Sequence, residues 1–416
     1  MATAALTAAE FAALMAPLGP FGAHPRVAMG VSGGPHSLAL ALLSHDWASA
    51  RGGSAIALIA DHGLRPESGA EAEGVAAQLA ALGIEARVLR LGLPGGSGLQ
   101  ERARIARRAA LLTAAAGLGA PWLLLGHHRG DQAETLAFRV LRGSGPAGLA
   151  GMAPLMVQAE GLVLRPLLDV PPARLEALLA ERGVVPVRDP SNDNPRFARV
   201  RLRQAMADPE GTGTGTAALA EAAAAFARRA ARSRQALAEA LLTLARPHPL
   251  GAVRIEGRPE GVAGEEAMAA LIRMVSGAVH PPPREGLRRL ISQGEGTLHG
   301  ALWAGPWLMR EPAAVAPPQP ARDGAVWDGR WRLSAPAGLL PGDLWGALGE
   351  AASDHRALAE GLPLALLRSL PALWRGGVPV AIPALGWAAE APLAVIGCHF
   401  APASGPLLPL SPAGEA

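Results

Sequence analysis

Residues 27–43 read Val-Ala-Met-Gly-Val-Ser-Gly-Gly-Pro-His-Ser-Leu-Ala-Leu-Ala-Leu-Leu. A short apolar run (27–31) enters a glycine-rich turn (32–37) and leaves as a run of helical character. Gly33 and Gly34 lack a Cβ, so the backbone can bend tightly there and bring its N–H groups close to a ligand. A helix that follows aims its unpaired N–H groups and the positive end of its dipole at the same point. Strand, turn and helix N-terminus together form an anion site whose natural occupant is phosphate. The same layout also serves as an ordinary strand–turn–helix corner, so the surrounding sequence has to decide.

Working outward, the first half of the chain alternates strand-like and helix-like segments. Residues 55–60 form an apolar run ending at Asp61-His62-Gly63. Residues 71–82 have helical spacing, and 88–91 are strand-like. A long helix is expected over 99–116, a further apolar run at 122–125, and a helix over 132–141. This alternation predicts an α/β fold, a parallel sheet covered by helices on both faces. In such sheets ligands sit at the C-terminal strand ends. The polar clusters at 32–37, 61–62 and 127–131 each follow an apolar run and so share that edge.

Composition narrows the chemistry. At 416 residues the chain exceeds one ordinary core, so two or three domains are expected. Half of it is hydrophobic and 18% is charged, which excludes wholesale disorder. No apolar stretch approaches the roughly 20 residues that cross a bilayer. Residues 1–20 are Ala-rich, carry Glu10 and lack a basic leader, so they read as a helix rather than a signal peptide. The chain contains no lysine: all 38 basic residues are Arg. The formal charge is therefore only +3 while the sequence pI is about 10.4. Walker-type GK[ST] loops and Schiff-base lysines are excluded, and any reacting amine must come from a substrate. Cys398 is the sole cysteine, which excludes an intrachain disulfide and fits a reducing, cytoplasmic compartment.

Beyond residue 210, Gly-Thr-Gly-Thr-Gly-Thr (211–216) reads as a linker. An Ala-rich helix with Arg228, Arg229, Arg232 and Arg234 follows; it suits a nucleic-acid-facing helix and a solvated face equally. Further helices are expected over 265–292 and a hairpin around Gly305-Pro306. A second linker is read at 316–320, ahead of a small β-containing domain.

Ser32-Gly33-Gly34-Pro35-His36-Ser37 resembles the SGGxDS phosphate loop of the N-type ATP pyrophosphatases. Asp61-His62-Gly63-Leu64-Arg65 is similar to the next landmark of one branch, as are the segments 100–107 and His127-His128-Arg129-Gly130-Asp131-Gln132-Ala133-Glu134-Thr135. Arg142-Gly143-Ser144-Gly145, then 148–152, Arg165-Pro166-Leu167-Leu168, and Asp189-Pro190-Ser191-Asn192 with Phe197, Arg199 and Arg203 follow. In this order, over residues 26–204, the segments resemble the tRNA(Ile)-lysidine synthases. Weaker likeness continues at 296–298, 310–312, 327–330 and 370–373.

The resemblance implies a PP-loop catalytic domain over 1–207, a doubly wound sheet of the adenine nucleotide α-hydrolase type. It implies a helical tRNA-binding domain over 217–312 and a small α+β tRNA-binding domain over 322–416. It implies ATP and Mg²⁺, the tRNA(Ile) with a CAU anticodon, and free lysine; no membrane is involved, and a homodimer stays open. The reaction would adenylate C2–O of the wobble cytidine with release of pyrophosphate. The lysine side-chain amine would then displace AMP to give lysidine.

By this resemblance Ser32, Gly33, Gly34, Pro35, His36, Ser37, Asp61 and His62 bind ATP. Asp131, Arg104 and Arg107 are the catalytic candidates. Arg139, Arg142, Arg165, Asn192, Arg199 and Arg203 contact tRNA or phosphate. Asp131, alone or with Asp61, would hold Mg²⁺; read by itself, an Asp just before a helix is an N-cap. His127 and His128 are adjacent, so on an extended backbone they point to opposite faces. Arg199, Arg201 and Arg203 make one stripe on a strand and fan out on a helix. Asp189 and Asn192 equally suit a plain Asx turn.

Two positions depart from the family pattern. His36 stands where the family has Asp, and Gly130 where many members have the first of two aspartates. Each removes a carboxylate beside the expected ATP. Neutral His does not replace it for Mg²⁺, which takes oxygen ligands, whereas protonated His36 would contact phosphate directly. The alternative these changes raise is a catalytically impaired tRNA-binding paralogue. Thiolating relatives need cysteines that this chain lacks, and no nucleophilic cysteine of a glutamine-dependent synthetase lies near the N-terminus.

Overall fold

The computed structural model describes residues 3–61, 63, 68–91, 99–146, 148–158, 160–187 and 198–402, with the side chains of 99–105 left aside. The chain divides into two compact units, 1–230 and 231–416.

The first unit is built on a six-stranded sheet. β1 (Arg26–Val31), β2 (Ser54–Asp61), β3 (Glu85–Arg90), β4 (Trp122–Leu125), β5 (Leu155–Val157) and β6 (Leu162–Leu164) lie in the order β3-β2-β1-β4-β6-β5. All pairings are parallel except β5 with β6. Strands β1 and β2 are apolar on both faces because both faces are covered. Ala28, Ile56 and Leu58 pack on one side against Leu111, Leu112 and Ala115 of α4 (Leu99–Gly117). Val27, Met29 and Val31 face the other side. There they meet α1 (Ala8–Met15), α2 (Pro35–Ser49), α3 (Ser68–Ala81) and α6 (Pro172–Glu181). Between α4 and α6 lies α5 (Arg129–Leu141). The expected doubly wound sheet is thus present.

Sheet order reverses between β1 and β4: β2 and β3 extend one way from β1, and the chain returns to pair β4 on its other edge. The loops after β1 and β4 therefore flank the crevice at this switch point. Gly126, just past β4, lets the two loops close up: a Cβ there would stand 2.9 Å from the His36 carbonyl oxygen.

The 211–216 stretch is not the linker expected. Asp208 accepts the N–H groups of Thr212 and Gly213, and α8 (Thr214–Leu244) begins inside the stretch, after α7 (Ala198–Met206).

In the second unit, α9 (Gly261–Ser276) and α10 (Arg284–Gln293) pack on an antiparallel sheet. Its strands are β7 (Ala245–His248), β8 (Ala252–Ile255), β9 (Gly296–Leu298), β10 (Ala301–Ala304) and β11 (Trp307–Arg310), ordered β7-β8-β11-β10-β9. The span expected to be helical is thus helix on sheet. β10 and β11 form the anticipated hairpin. Two further antiparallel sheets follow. Trp327, Trp331 and Trp345 share one core with Leu250 and Met309, so the boundary expected near 313–321 does not separate two cores. The Pro-rich segment is held instead: the Trp327 indole donates to the Pro317 carbonyl, and Gln319–Pro320 pairs with the strand Leu344–Ala347.

Candidate active site

Two helices start at the switch point, and they start differently. α2 opens with Gly34 as N-cap and Pro35 in its first turn, with no side chain capping it. Proline gives up no needed donor there. The N–H groups of His36 and Ser37 have no intrahelical acceptor, so the uncapped end offers donors to an anion. Gly33 lies at φ +83, and a Cβ on it would stand 2.6 Å from Val75 Cγ2. Only glycine suits that bend, and Val187 N–H pins its carbonyl at 2.9 Å. Ser37 Oγ accepts from the Ser32 N–H at 3.1 Å, donates to the Gly34 carbonyl at 2.9 Å, and lies 3.2 Å from Ser32 Oγ. The two serines thus brace the turn and present hydroxyls at its mouth.

α5, by contrast, is capped. His128 is the N-cap, with Nδ1 accepting the Gly130 N–H, and Asp131 at the third position accepts the His128 N–H at 3.0 Å. The sequence reading put Asp131 itself at the cap; the structure gives that place to His128 and makes Asp131 the reciprocal partner of a capping box. His128 Nε2 lies 3.4 Å from Asp131 Oδ2. Burial would raise the Asp131 pKa, but the His128 and His127 imidazoles, the His128 N–H and His36 together hold it below the ordinary carboxylate value. Asp131 is therefore an anion in a mostly enclosed site. Both histidines act on one carboxylate, despite the opposed directions that an extended backbone would give them.

His36 closes the gap between the two helix starts. Its ring meets that of His128 edge-on, centroids 4.0 Å apart. Its Nε2 forms no hydrogen bond among the described residues and lies 3.8 Å from Glu176 Oε1, on α6. Burial and the neighbouring His128, with a smaller push from Arg203 and against the pull of Asp131, bring its pKa down to about 3. Without a bound anion, His36 is therefore uncharged at neutral pH.

The remaining candidates separate. Asp61, at the end of β2, accepts Gly63 N–H at 2.9 Å and Ser68 Oγ–H at 2.7 Å, which ties it to the start of α3. Arg107 is exposed on α4, while His62, Asn192 and the Arg104 side chain lie outside the described residues. Arg139 donates to the carbonyls of Gly148 (2.5 Å) and Gly151 (2.8 Å), and Gln132 exchanges two hydrogen bonds with Met152. Together they fasten the 148–152 loop to α5. Arg165 is buried and donates to the Ala153 carbonyl. Arg142 lies over the Phe138 ring at 4.4 Å. Arg199 is exposed, and because α7 is a helix, Arg199, Arg201 and Arg203 fan out.

Sequence reasoning gave no role to Glu134 or Glu176. Glu134 is buried and takes a two-point contact from Arg203, Nε–Oε1 2.6 Å and Nη2–Oε2 3.2 Å. Its position three residues after Asp131, on one face of α5, was a readable signal. Glu176 reaches His36 only because α6 packs on α2, which nothing local in the sequence announces.

A PP-loop domain family matches residues 5–210. The chain is 49% identical over 188 residues to the tRNA(Ile)-lysidine synthase of Rhodopseudomonas palustris, covering 44% of this chain and 54% of that one. It is 50% identical over 185 residues to that of Novosphingobium aromaticivorans, covering 44% and 56%. These matches span about half the length of the two relatives. A solved U34-tRNA thiolase from Methanococcus maripaludis superposes with a TM-score of 0.43 at 17% identity, over 53% of this chain and 78% of that one, too slight a likeness to carry weight. The match to the tRNA(Ile)-lysidine synthase of Methylobacterium nodulans is longer: 39% identity over 303 residues, 69% of this chain and 85% of that one. With the loop, the switch point and this extended match in agreement, the chain belongs to the tRNA(Ile)-lysidine synthase family.

Proposed function

We propose that this protein joins lysine to C2 of the wobble cytidine of the CAU-anticodon tRNA(Ile), at the expense of ATP. The observation that carries the reading is the uncapped start of α2 beside the anionic Asp131, at the one crevice where the sheet order reverses. The donors of the Ser32–Ser37 turn hold the polyphosphate and face the charge that builds as the α–β bond of ATP breaks. The cytidine O2 attacks the α-phosphorus and pyrophosphate leaves. The amine of a free lysine then attacks C2, AMP departs with the oxygen, and the amine loses a proton. The amine must come from outside, because the chain has no lysine of its own.

Mg²⁺ fits the residues present. Asp131 is a charged oxygen donor beside the phosphate turn, and a single carboxylate plus substrate phosphates is the usual Mg²⁺ arrangement. Among the described residues no cluster of three or more His, Cys, Asp or Glu side chains forms a self-sufficient cage, which agrees with an ion shared with the nucleotide. Bound there, it would neutralise charge on the pyrophosphate leaving group. The exposed Arg107, with Arg199 and Arg142, supports contact with RNA phosphates.

The reading fits a protein without a membrane-spanning helix among its described residues. Mass spectrometry of the CAU tRNA after incubation with protein, ATP, Mg²⁺ and lysine tests it. A cytidine heavier by one lysine less one water supports it. An unchanged tRNA, with the protein still binding it, would favour a paralogue impaired by His36.

A further inference from the structure

The two positions that depart from the family pattern, His36 and Gly130, lie far apart in sequence and meet at one side chain, His128. His128 is 8% exposed and fixed by its neighbours. The His36 ring meets it edge-on, with centroids 4.0 Å apart. Its Nδ1 accepts the Gly130 N–H at 3.1 Å, and its Nε2 lies 3.4 Å from Asp131 Oδ2. A neutral imidazole that accepts at Nδ1 carries its proton on Nε2, here the nitrogen that faces the carboxylate.

Gly130 is not needed for its backbone. It lies in the first turn of α5 and its φ is not positive, so any L-residue suits that conformation. In a helix Ala is ordinarily preferred to Gly. What forbids a side chain is His128. A Cβ at residue 130 would stand 3.0 Å from His128 Cε1 and 3.2 Å from its Nδ1. The contact is relieved only if the ring gives by a few tenths of an ångström. His36 bears on that ring and is itself confined. A Cβ on Gly126 would stand 2.9 Å from the His36 carbonyl oxygen, so its backbone lies against the chain just past β4. Toward α6, Glu176 Oε1 is 3.8 Å from its Nε2.

We infer that His36 and Gly130 are a coupled pair of positioning residues: the His36 ring sets the place of His128, and through it of the Asp131 carboxylate, and that place leaves no room for a side chain at residue 130. The two departures are then one structural change. Their effect on the reaction rests on the proposed function; the packing does not.

The test is a cycle on the full chain: wild type, Gly130→Ala, His36→Ala and the double variant. Ala at residue 130 adds only the Cβ in question, and Ala at residue 36 removes the ring that confines His128. Melting temperature is measured, with kcat and the KM for ATP of pyrophosphate release in the presence of the CAU tRNA. In the wild type, Gly130→Ala should lower the melting temperature and cut kcat about 3- to 10-fold, as expected of a sub-ångström displacement of one reacting-site group. The KM for ATP should change little, because the Ser32–Ser37 turn is untouched. In the His36→Ala background the same substitution should cost at most about twofold in kcat and raise the melting temperature, as helix propensity directs. Equal losses of melting temperature in both backgrounds would overturn the coupling. Coupling in melting temperature without coupling in kcat would overturn the positioning of Asp131. If the wild type released no pyrophosphate at all, the proposed function would fall, and the melting-temperature cycle would still decide the packing.

Discussion

At the residue scale the site turns on Asp131 and His36. Asp131 is a carboxylate that neighbouring groups keep charged, and its oxygen accepts the His128 N–H at 3.0 Å. Asp131→Ala is expected to lower tRNA-dependent pyrophosphate release roughly 100-fold or more, in line with the loss of one preorganised electrostatic partner. Full activity in that variant would refute the metal assignment. His36→Asp is expected to preserve or raise the rate, because it returns an oxygen ligand to the turn.

His36 also makes a pH prediction. Its pKa is about 3 in the folded protein against an ordinary 6.5. Between those values the unfolded chain binds the extra proton, so stability rises with pH across the window and is lost as pH falls from about 6.5. His36→Gln removes this dependence. The melting-temperature difference between wild type and variant should therefore widen in the variant's favour on acidification from pH 7 to pH 4, and a constant difference would show that His36 is not buried as described.

At the element scale, the decisive object is the bend between β1 and α2. Gly33→Ala places a methyl group at φ +83 and 2.6 Å from Val75 Cγ2. The backbone penalty alone is about 1–2 kcal/mol, and the clash adds to it. ATP affinity measured by calorimetry should fall at least tenfold, while affinity equal to wild type would mean that the bend does not shape the site. This bend was legible in the sequence because glycine, proline and apolar runs have local meanings. So were the alternating strands and helices, since periodicity is a property of neighbours in the chain. What was not legible depends on neighbours in space. The cap of α5 passed from Asp131 to His128 because an imidazole nitrogen reached the Gly130 N–H. Glu176 arrives at His36 from another helix, and Arg203 finds Glu134 across 69 residues. Likewise the Gly-Thr repeat looked flexible until Asp208 accepted its N–H groups.

At the scale of the whole molecule, two units each carry their own core. The second is pinned by a buried charge cluster that composition could not reveal. Asp328, at φ 53, accepts from Arg310 (Nε 2.9 Å, Nη2 2.8 Å) and from Arg330 (Nε 2.9 Å, Nη2 2.6 Å). All three side chains are at least nine-tenths buried. Burial brings the Arg330 pKa down to about 10, against the pull of Asp328. Removing the one anion from two buried cations costs about 3–5 kcal/mol. Asp328→Asn should therefore lower the unfolding free energy of residues 231–416, followed through the buried Trp327, Trp331 and Trp345, with ATP binding by the first unit intact. A loss below about 1 kcal/mol, the value of an exposed pair, would show that the cluster is solvated.

The central claim is that the turn at Ser32–Ser37 grips the anionic tail of ATP so that AMP passes to a tRNA base. Pyrophosphate release from ATP, measured with the CAU tRNA but without lysine, tests it most directly. The account predicts release that requires the tRNA and stops near one equivalent per tRNA, with free AMP appearing only when lysine is added. Release that ignores the tRNA, or none at all with Mg²⁺ and tRNA present, would contradict it.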